Sequence, residues 1–227
     1  MSNQDNNENG NDNQTDDGPD RNEAVRVFAS EFNEAKFTFK KEDKKRAAEY
    51  NLLPTGVGAN RVLMMGTLMG ITHIKTDNGD NYRARIVDNT GTFFAYAGQY
   101  SDATEKMSEL QPDDSRTNLN QDEFKQVMII GKAGTYEKDD NEHLVSVEPE
   151  HFIITDRDTR KKWRAETVAK TLDRLEAVEN GEAPVQNKVD QLSDHFDRDG
   201  LRSDINEVIE KMEGVSGTIS TNPQNAV

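Results

Sequence analysis

Cysteine is absent from the 227-residue sequence. That excludes a disulfide framework, a Cys-ligated zinc site and a thiol nucleophile. Histidine is scarce too: His73, His143, His151 and His195 share no ligand-like spacing and read as surface or edge residues. No glycine-rich phosphate loop, metal-ligand cluster or nucleophile–base pair stands at a recognisable spacing, so neither a cofactor nor an enzymatic activity is expected. Asp88 and Asp156 read as turn carboxylates that cap backbone N–H groups. Apolar residues are also few, 33% of the chain against 31% charged. This is thin material for a large core and points to one modest domain with polar extensions. No apolar run approaches the ~20 residues of a membrane span. The start of the sequence has no basic-plus-apolar signal, so a soluble, cytoplasmic protein with no membrane partner is expected.

Positive charge is the other shortage. Lys and Arg number 28 against 43 Asp and Glu, a formal net charge of −15. Nucleic-acid binders are ordinarily basic. One reading of the acidity is a partly disordered interaction protein; the other, preferred here, is a halophilic protein built for molar salt. At such salt the Debye length falls to about 3 Å, so a dispersed acidic surface neither repels nor steers DNA.

What is present is organised in blocks. Residues 1–23 form a low-complexity tail rich in Asn, Asp and Gln and are expected to be disordered. Residues 24–57 are an ordered lead-in of mixed signal. Phe28, Phe32, Ala35 and Phe39 follow helical spacing, while Phe37 and Phe39 alternate as in an edge strand. The basic patch Lys40, Lys41, Lys44, Lys45 and Arg46, interrupted by Glu42 and Asp43, fits a phosphate contact or a solvated face equally well.

Residues 58–156 carry the clearest pattern. Arg61 to Lys75 reads as a strand in which Gly66 and Gly70 mark bulges or bends. Tyr82–Val87 and Thr92–Ala97 read as strands joined by the tight turn Asp88–Gly91. Ser101 to Leu110 follows as a short helix, and a polar loop covers Gln111 to Glu123. Val127–Tyr136 and Leu144–Ile154 complete the set. The order β-β-β-α-β-β with glycine-bearing strands is that of a five-stranded OB-fold barrel, so the fold class expected is mainly β with an α-helical C-terminal extension. Residues 157–180 read as a helix whose stripe Ala165, Val168, Leu172 and Leu175 either packs back on the barrel or contacts a partner subunit. Short helices are expected over 181–215 and a disordered end over 216–227.

Several segments in order resemble the archaeal replication protein A-associated family, its haloarchaeal members above all. They are Arg26 to Asn33, Leu52-Leu53-Pro54-Thr55-Gly56, Asn60-Arg61-Val62 and Gly66-Thr67-Leu68. Asp88 to Gly91, Tyr96 to Tyr100, Gly131-Lys132 and Thr135-Tyr136-Glu137 continue the likeness, as do Pro149-Glu150-His151, Glu166-Thr167 and Thr171-Leu172. It covers about Ala24 to Glu179. The polar insert 113–123 is longer than the family pattern leads one to expect, and the chain beyond Ala183 lies outside it. The resemblance implies the RPA-type OB fold and a role in single-stranded DNA binding during DNA replication and repair. It also implies assembly with a replication protein A-like OB-fold subunit.

An OB barrel binds single strands across its second and third strands, between its 1–2 and 4–5 loops. If Ala84, Ile86, Phe93, Ala95 and Ala97 face inward, the pleat puts Arg83, Arg85, Phe94 and Tyr96 outside. Guanidinium groups beside aromatic rings are the makings of a stacking platform with phosphate contacts. Lys132, Tyr136 and Lys138 are expected to close over the strand, and Arg61 is expected to be a further DNA contact. The bland alternative is that Phe94 and Tyr96 are covered by the lead-in or by a partner. A second functional reading is an assembly subunit with little DNA affinity of its own, and RNA remains open because stacking does not distinguish the sugar.

Overall fold

The computed structural model describes residues 22–42, 47–77, 79–112, 117–138 and 142–217. Most of the N-terminal tail, Lys44 to Arg46 of the basic patch, part of the polar insert and the last ten residues lie outside them.

The longest strand organises the rest. Strand β5 (Arg61–Thr76) follows three short strands and a helix, introduced below, together with the two-residue β1 (Val25–Arg26), which runs parallel to it. Its alternation buries Val62, Met64, Leu68 and Ile71. Beyond it come β6 (Gly79–Val87), β7 (Thr92–Ala97), β8 (Lys125–Lys138) and β9 (Glu142–Thr155). The sheet has six strands in the order β1-β5-β6-β7-β9-β8. The second half of β5 pairs with β6, from Thr67↔Val87 to Thr76↔Gly79; its first half pairs with β8, from Arg61↔Lys132 to Leu68↔Lys125. The run of pairings that leaves β5 through β6, β7, β9 and β8 therefore comes back to it. All contacts in it are antiparallel except β7 with β9, which meet in parallel at Ala95↔Val147.

A strand that serves two neighbours has to bend. The register of β5 slips between Leu68 and Gly70, and a Cβ on Gly70 would lie 2.1 Å from the carbonyl oxygen of Thr117. The second slip falls between Ile130 and Gly131, where a Cβ would stand 2.2 Å from the oxygen of Glu148. Both glycines sit at bulges because another backbone passes too close for any side chain. Helix α2 (Ala103–Glu109), which lies between β7 and β8, buries Ala103 and Met107 in the same core as Leu68, Ile86, Phe93 and Ile129.

The lead-in resolves its mixed signal by dividing it. Helix α1 (Ala29–Asn33) has Phe28 just before it and carries Phe32, and both rings are fully buried. The chain then extends into β2 (Phe37–Lys40), where Phe37 and Phe39 alternate with exposed neighbours. With β3 (Glu49–Leu52) and β4 (Gly58–Ala59) it makes a separate three-stranded sheet. The sequence reading had no such sheet. Its pairing of Phe37 with Leu52 and Lys40 with Glu49 spans residues of no shared pattern.

Helix α3 (Arg157–Glu179) starts at Asp156, whose side chain accepts from the backbone N–H of Thr159 at 2.7 Å. That bond holds the Asp156 carboxyl below its usual range. The stripe that the sequence left between the barrel and a partner subunit is largely taken up inside the chain. Val168 and Leu175 are buried beside Phe28, Met65 and Trp163, and Leu172 packs against them; Ala165 alone of the four is exposed. The covering element is α5 (Arg198–Gly217), a helix of 20 residues where only short helices were expected. Its Leu201, Ile205 and Val208 recur on one face and close the cluster. A shorter helix, α4 (Gln186–Gln191), buries Val189 against Leu52, Val178 and Phe196.

One buried polar knot ties α1, the Thr55 turn and α3 together. Glu31 is fully buried. It accepts from Arg174 Nη2 at 2.7 Å and from Thr55 Oγ1 at 2.6 Å, and Thr171 Oγ1 stands 3.3 Å away. Arg174 also donates to the backbone oxygen of Arg26 at 3.1 Å. A carboxylate in such a place is tolerable only while every lone pair has a donor. Arg174→Met should therefore cost about 3–5 kcal/mol of stability, measured by urea unfolding. The double variant Glu31→Leu, Arg174→Met should recover most of that loss.

Candidate nucleic-acid interface

The pleat of β6 and β7 sorts their residues cleanly. Ala84, Ile86, Phe93, Ala95 and Ala97 are buried in the core, which turns Arg83, Arg85, Phe94 and Tyr96 to the opposite face, where all four are half-buried. The register sets Arg83 across from Tyr96 and Arg85 across from Phe94. The Arg83 guanidinium carbon lies 5.5 Å from the Phe94 ring centroid, within cation–π range. Tyr136 reaches over from β8, its ring centroid 6.2 Å from that of Tyr96 and its plane inclined at 73°. These side chains line a groove of about 540 Å³. Lys36 and Asn33, just beyond and at the end of α1, border it, and no carboxylate lines it among the described residues. Asn33 Nδ2 donates to the backbone oxygen of Thr92 at 2.9 Å, which fixes that border.

Lys36 is the residue that sequence reasoning missed. The basic patch was read from Lys40 onward, and nothing local says that the turn after α1 comes to lie beside β7. Asp88 fixes the turn at that end. It accepts from the backbone N–H groups of Ala29 (2.7 Å), Thr90 (2.7 Å) and Gly91 (3.0 Å). Burial pushes its carboxyl above the usual range, against those bonds. Asp88 and Asp156 are thus both backbone caps. Among the described residues no group of three or more His, Asp or Glu is placed to hold a metal.

The other expected contacts fall elsewhere. Arg85 shares the outer face, and its Nη2 donates to Asn118 Oδ1 at 3.0 Å. Asn118 belongs to the polar insert, which docks on β5 through Leu119 N–H to the Met69 oxygen at 2.9 Å. Arg61 and Lys132 are not brought to the groove. They line a separate depression of about 560 Å³ with Tyr100, Glu148 and Glu150. There Arg61 is neutralised by Glu150 and donates to the Asn22 oxygen at 3.1 Å. The pairing Arg61↔Lys132 across β5 and β8 is what carries both away. The Lys138 side chain lies outside the described residues; its backbone pairs with Glu142.

The sequence matches no protein-family model and no curated protein sequence. Solved structures of similar shape include a replication protein A heterotrimer bound to single-stranded DNA. That chain has 13% identity and a TM-score of 0.39, with 67% of this chain and 98% of that chain covered. Yeast Stn1 and Ten1 match at 10% identity and a TM-score of 0.35, covering 52% of this chain and 55% of theirs. The second single-stranded DNA binding protein of Mycobacterium smegmatis matches at 12% identity and 0.31, covering 42% and 86%.

The accessibility of the rings can be checked directly. Tyr100 is 92% exposed and Tyr136 41%, whereas Tyr50 and Tyr82 are buried. Tetranitromethane followed by peptide mass spectrometry should modify Tyr100 and Tyr136 and spare Tyr50 and Tyr82.

Proposed function

We propose that the chain is a five-stranded OB-type barrel, formed by β5, β6, β7, β9 and β8, that binds single-stranded DNA without catalysing a reaction. In this reading it serves as a subunit of a replication protein A complex in DNA replication and repair, in the cytoplasm of a salt-rich archaeal cell. The strand order and the single parallel contact between β7 and β9 support the barrel, in the order expected of an OB fold.

One observation carries the function. In a chain of net charge −15, a groove across β6 and β7 is lined by Phe94, Tyr96 and Tyr136 with Arg83 and Lys36 and, among the described residues, by no carboxylate. Rings supply stacking and the two cations supply phosphate contacts. Magnitudes favour the rings. For single strands the salt slope is about −0.7 per neutralised phosphate, so a tenfold rise in salt with four contacts removes nearly three decades of affinity. Stacking contributes about 1–3 kcal/mol per base and is not a charge effect.

Titration of the isolated chain against a labelled oligonucleotide separates this reading from that of an assembly subunit. No affinity alone, with normal affinity beside a replication protein A-like partner, assigns the latter. If the groove binds DNA, Phe94→Ala and Tyr96→Ala should each lose about 1–3 kcal/mol of binding free energy in molar KCl. Arg85→Ala should lose less, because at that ionic strength a phosphate contact is screened. Equal losses for the three variants would contradict the stacking mechanism.

A further inference from the structure

Across most of the molecule the described arginines sit against carboxylates or backbone oxygens. Arg26 meets Glu166 at 2.9 Å, Arg174 meets Glu31, Arg202 meets Glu179, and Arg198 Nε donates to the Pro54 oxygen at 2.9 Å. On the outer face of β5 and β6 and the adjoining start of α3 the pattern reverses. Arg85 bonds to a neutral amide, Asn118. Arg160 Nη1 donates to Thr67 Oγ1 at 3.0 Å and Gln126 Oε1 at 2.7 Å, both neutral oxygens. Arg164 Nε is buried without a hydrogen-bond partner. Among the described residues none of these three has a carboxylate within ion-pair distance. Nearby Asp156 is engaged in its capping bond.

This arrangement is costly unless an anion completes it. Arg160 is half-buried. Burial, first, and the like charge of Arg164, second, press against its charged form, with Asp88 acting weakly the other way. Among the described residues no carboxylate stands within ion-pair distance of either guanidinium group, in a chain with 43 acidic residues to 28 basic ones. A merely solvated pair would have carboxylates to choose from.

The cluster also lies in line with the groove. Arg83, Arg85 and Val87 share one face of β6 by the period of two, and Val87 pairs with Thr67, on which Arg160 rests. From Arg85 to that point is about 7 Å along β6 and one strand step of about 4.8 Å. Arg157 and Lys161 add exposed positive charge on the same turns of α3.

We propose that single-stranded DNA leaving the aromatic groove runs past Arg85 onto Arg160 and Arg164, so that the first turns of α3 form a second phosphate-binding segment. This rests on the groove being a single-stranded DNA site. It makes the bound length greater than the groove alone can hold. The only tryptophan of the chain, Trp163, is buried beneath these turns beside Phe28 and precedes Arg164 directly in the chain.

The test uses the full chain and oligothymidylates of about 6 and about 16 nucleotides, both within the range of site sizes for one such barrel. Affinity is read by anisotropy over a salt series, and Trp163 emission is read alongside. The longer strand should bind more tightly and shift Trp163 emission, and the shorter one should leave that emission unchanged. Arg164→Gln, which removes a guanidinium whose Nε has no partner among the described residues, should lower the salt slope for the longer strand by about 0.7, and Arg160→Gln, Arg164→Gln by about 1.4. Binding of the shorter strand should be unaltered in both. Native protein that binds both lengths, with variants of unchanged slope on the longer, overturns this proposal and leaves the groove reading standing. Native protein that binds neither length overturns the groove reading and this proposal with it.

Discussion

Strand β5 is asked to do two things at once: its first half is hydrogen-bonded to β8 and its second half to β6. No straight strand of 16 residues can satisfy both neighbours, and the bend has to occur where the backbone can tolerate close approach. Gly66 and Gly70 provide that tolerance: a Cβ at Gly66 would lie 2.6 Å from Ile86 Cγ2, and one at Gly70 would strike the polar insert. Because β5 curves in this way, β6 and β7 are set with their inner faces on a common core. Their outer faces then carry Arg83, Phe94 and Tyr96 side by side. The groove is a consequence of how the sheet returns on itself.

Around that sheet the molecule uses its second and third apolar clusters to fix what would otherwise be loose additions. Helices α3 and α5 close over Phe28, Met65 and Trp163, and each buried Leu, Ile or Phe there contributes about 1.5–3 kcal/mol. The Glu31–Arg174 knot adds direction to this packing. A buried carboxylate is strongly penalised without its cation, so α1 and α3 are held in one mutual placement. That placement matters at the groove, because α1 is followed by Lys36, and at the far side, because α3 begins with Arg160 and Arg164. The lead-in and the C-terminal helix are in this sense what set the positive charge around the sheet.

The distribution of charge follows the same division. Arg26, Arg61, Arg174 and Arg202 have carboxylate partners, while Arg83, Arg85, Arg160 and Arg164 stand among rings, amides and hydroxyls. A net charge says nothing of such a partition. At molar ionic strength the field of each of these arginines would reach only a few ångströms.

Much of this was legible locally. Alternation placed the strands around Tyr82–Val87 and Thr92–Ala97 and sorted their two faces, because the side-chain period of a strand is two whatever surrounds it. Gly70 announced a bulge for a steric reason visible in one residue, and the capping roles of Asp88 and Asp156 follow from short-range hydrogen bonding. Tertiary structure alone decided where distant segments meet. It brought Lys36 to the groove, sent Arg61 and Lys132 to another depression, and paired β2 with β3 and β3 with β4, which no local pattern linked. It also covered Val168 and Leu175 with α5, where the sequence left open whether that stripe faced a partner. The physical reason is the range of the forces: pleat and turn are set by neighbours in the chain. Which cation finds a carboxylate, and which an amide, a hydroxyl or a ring, depends on contacts that exist only once the chain has closed on itself.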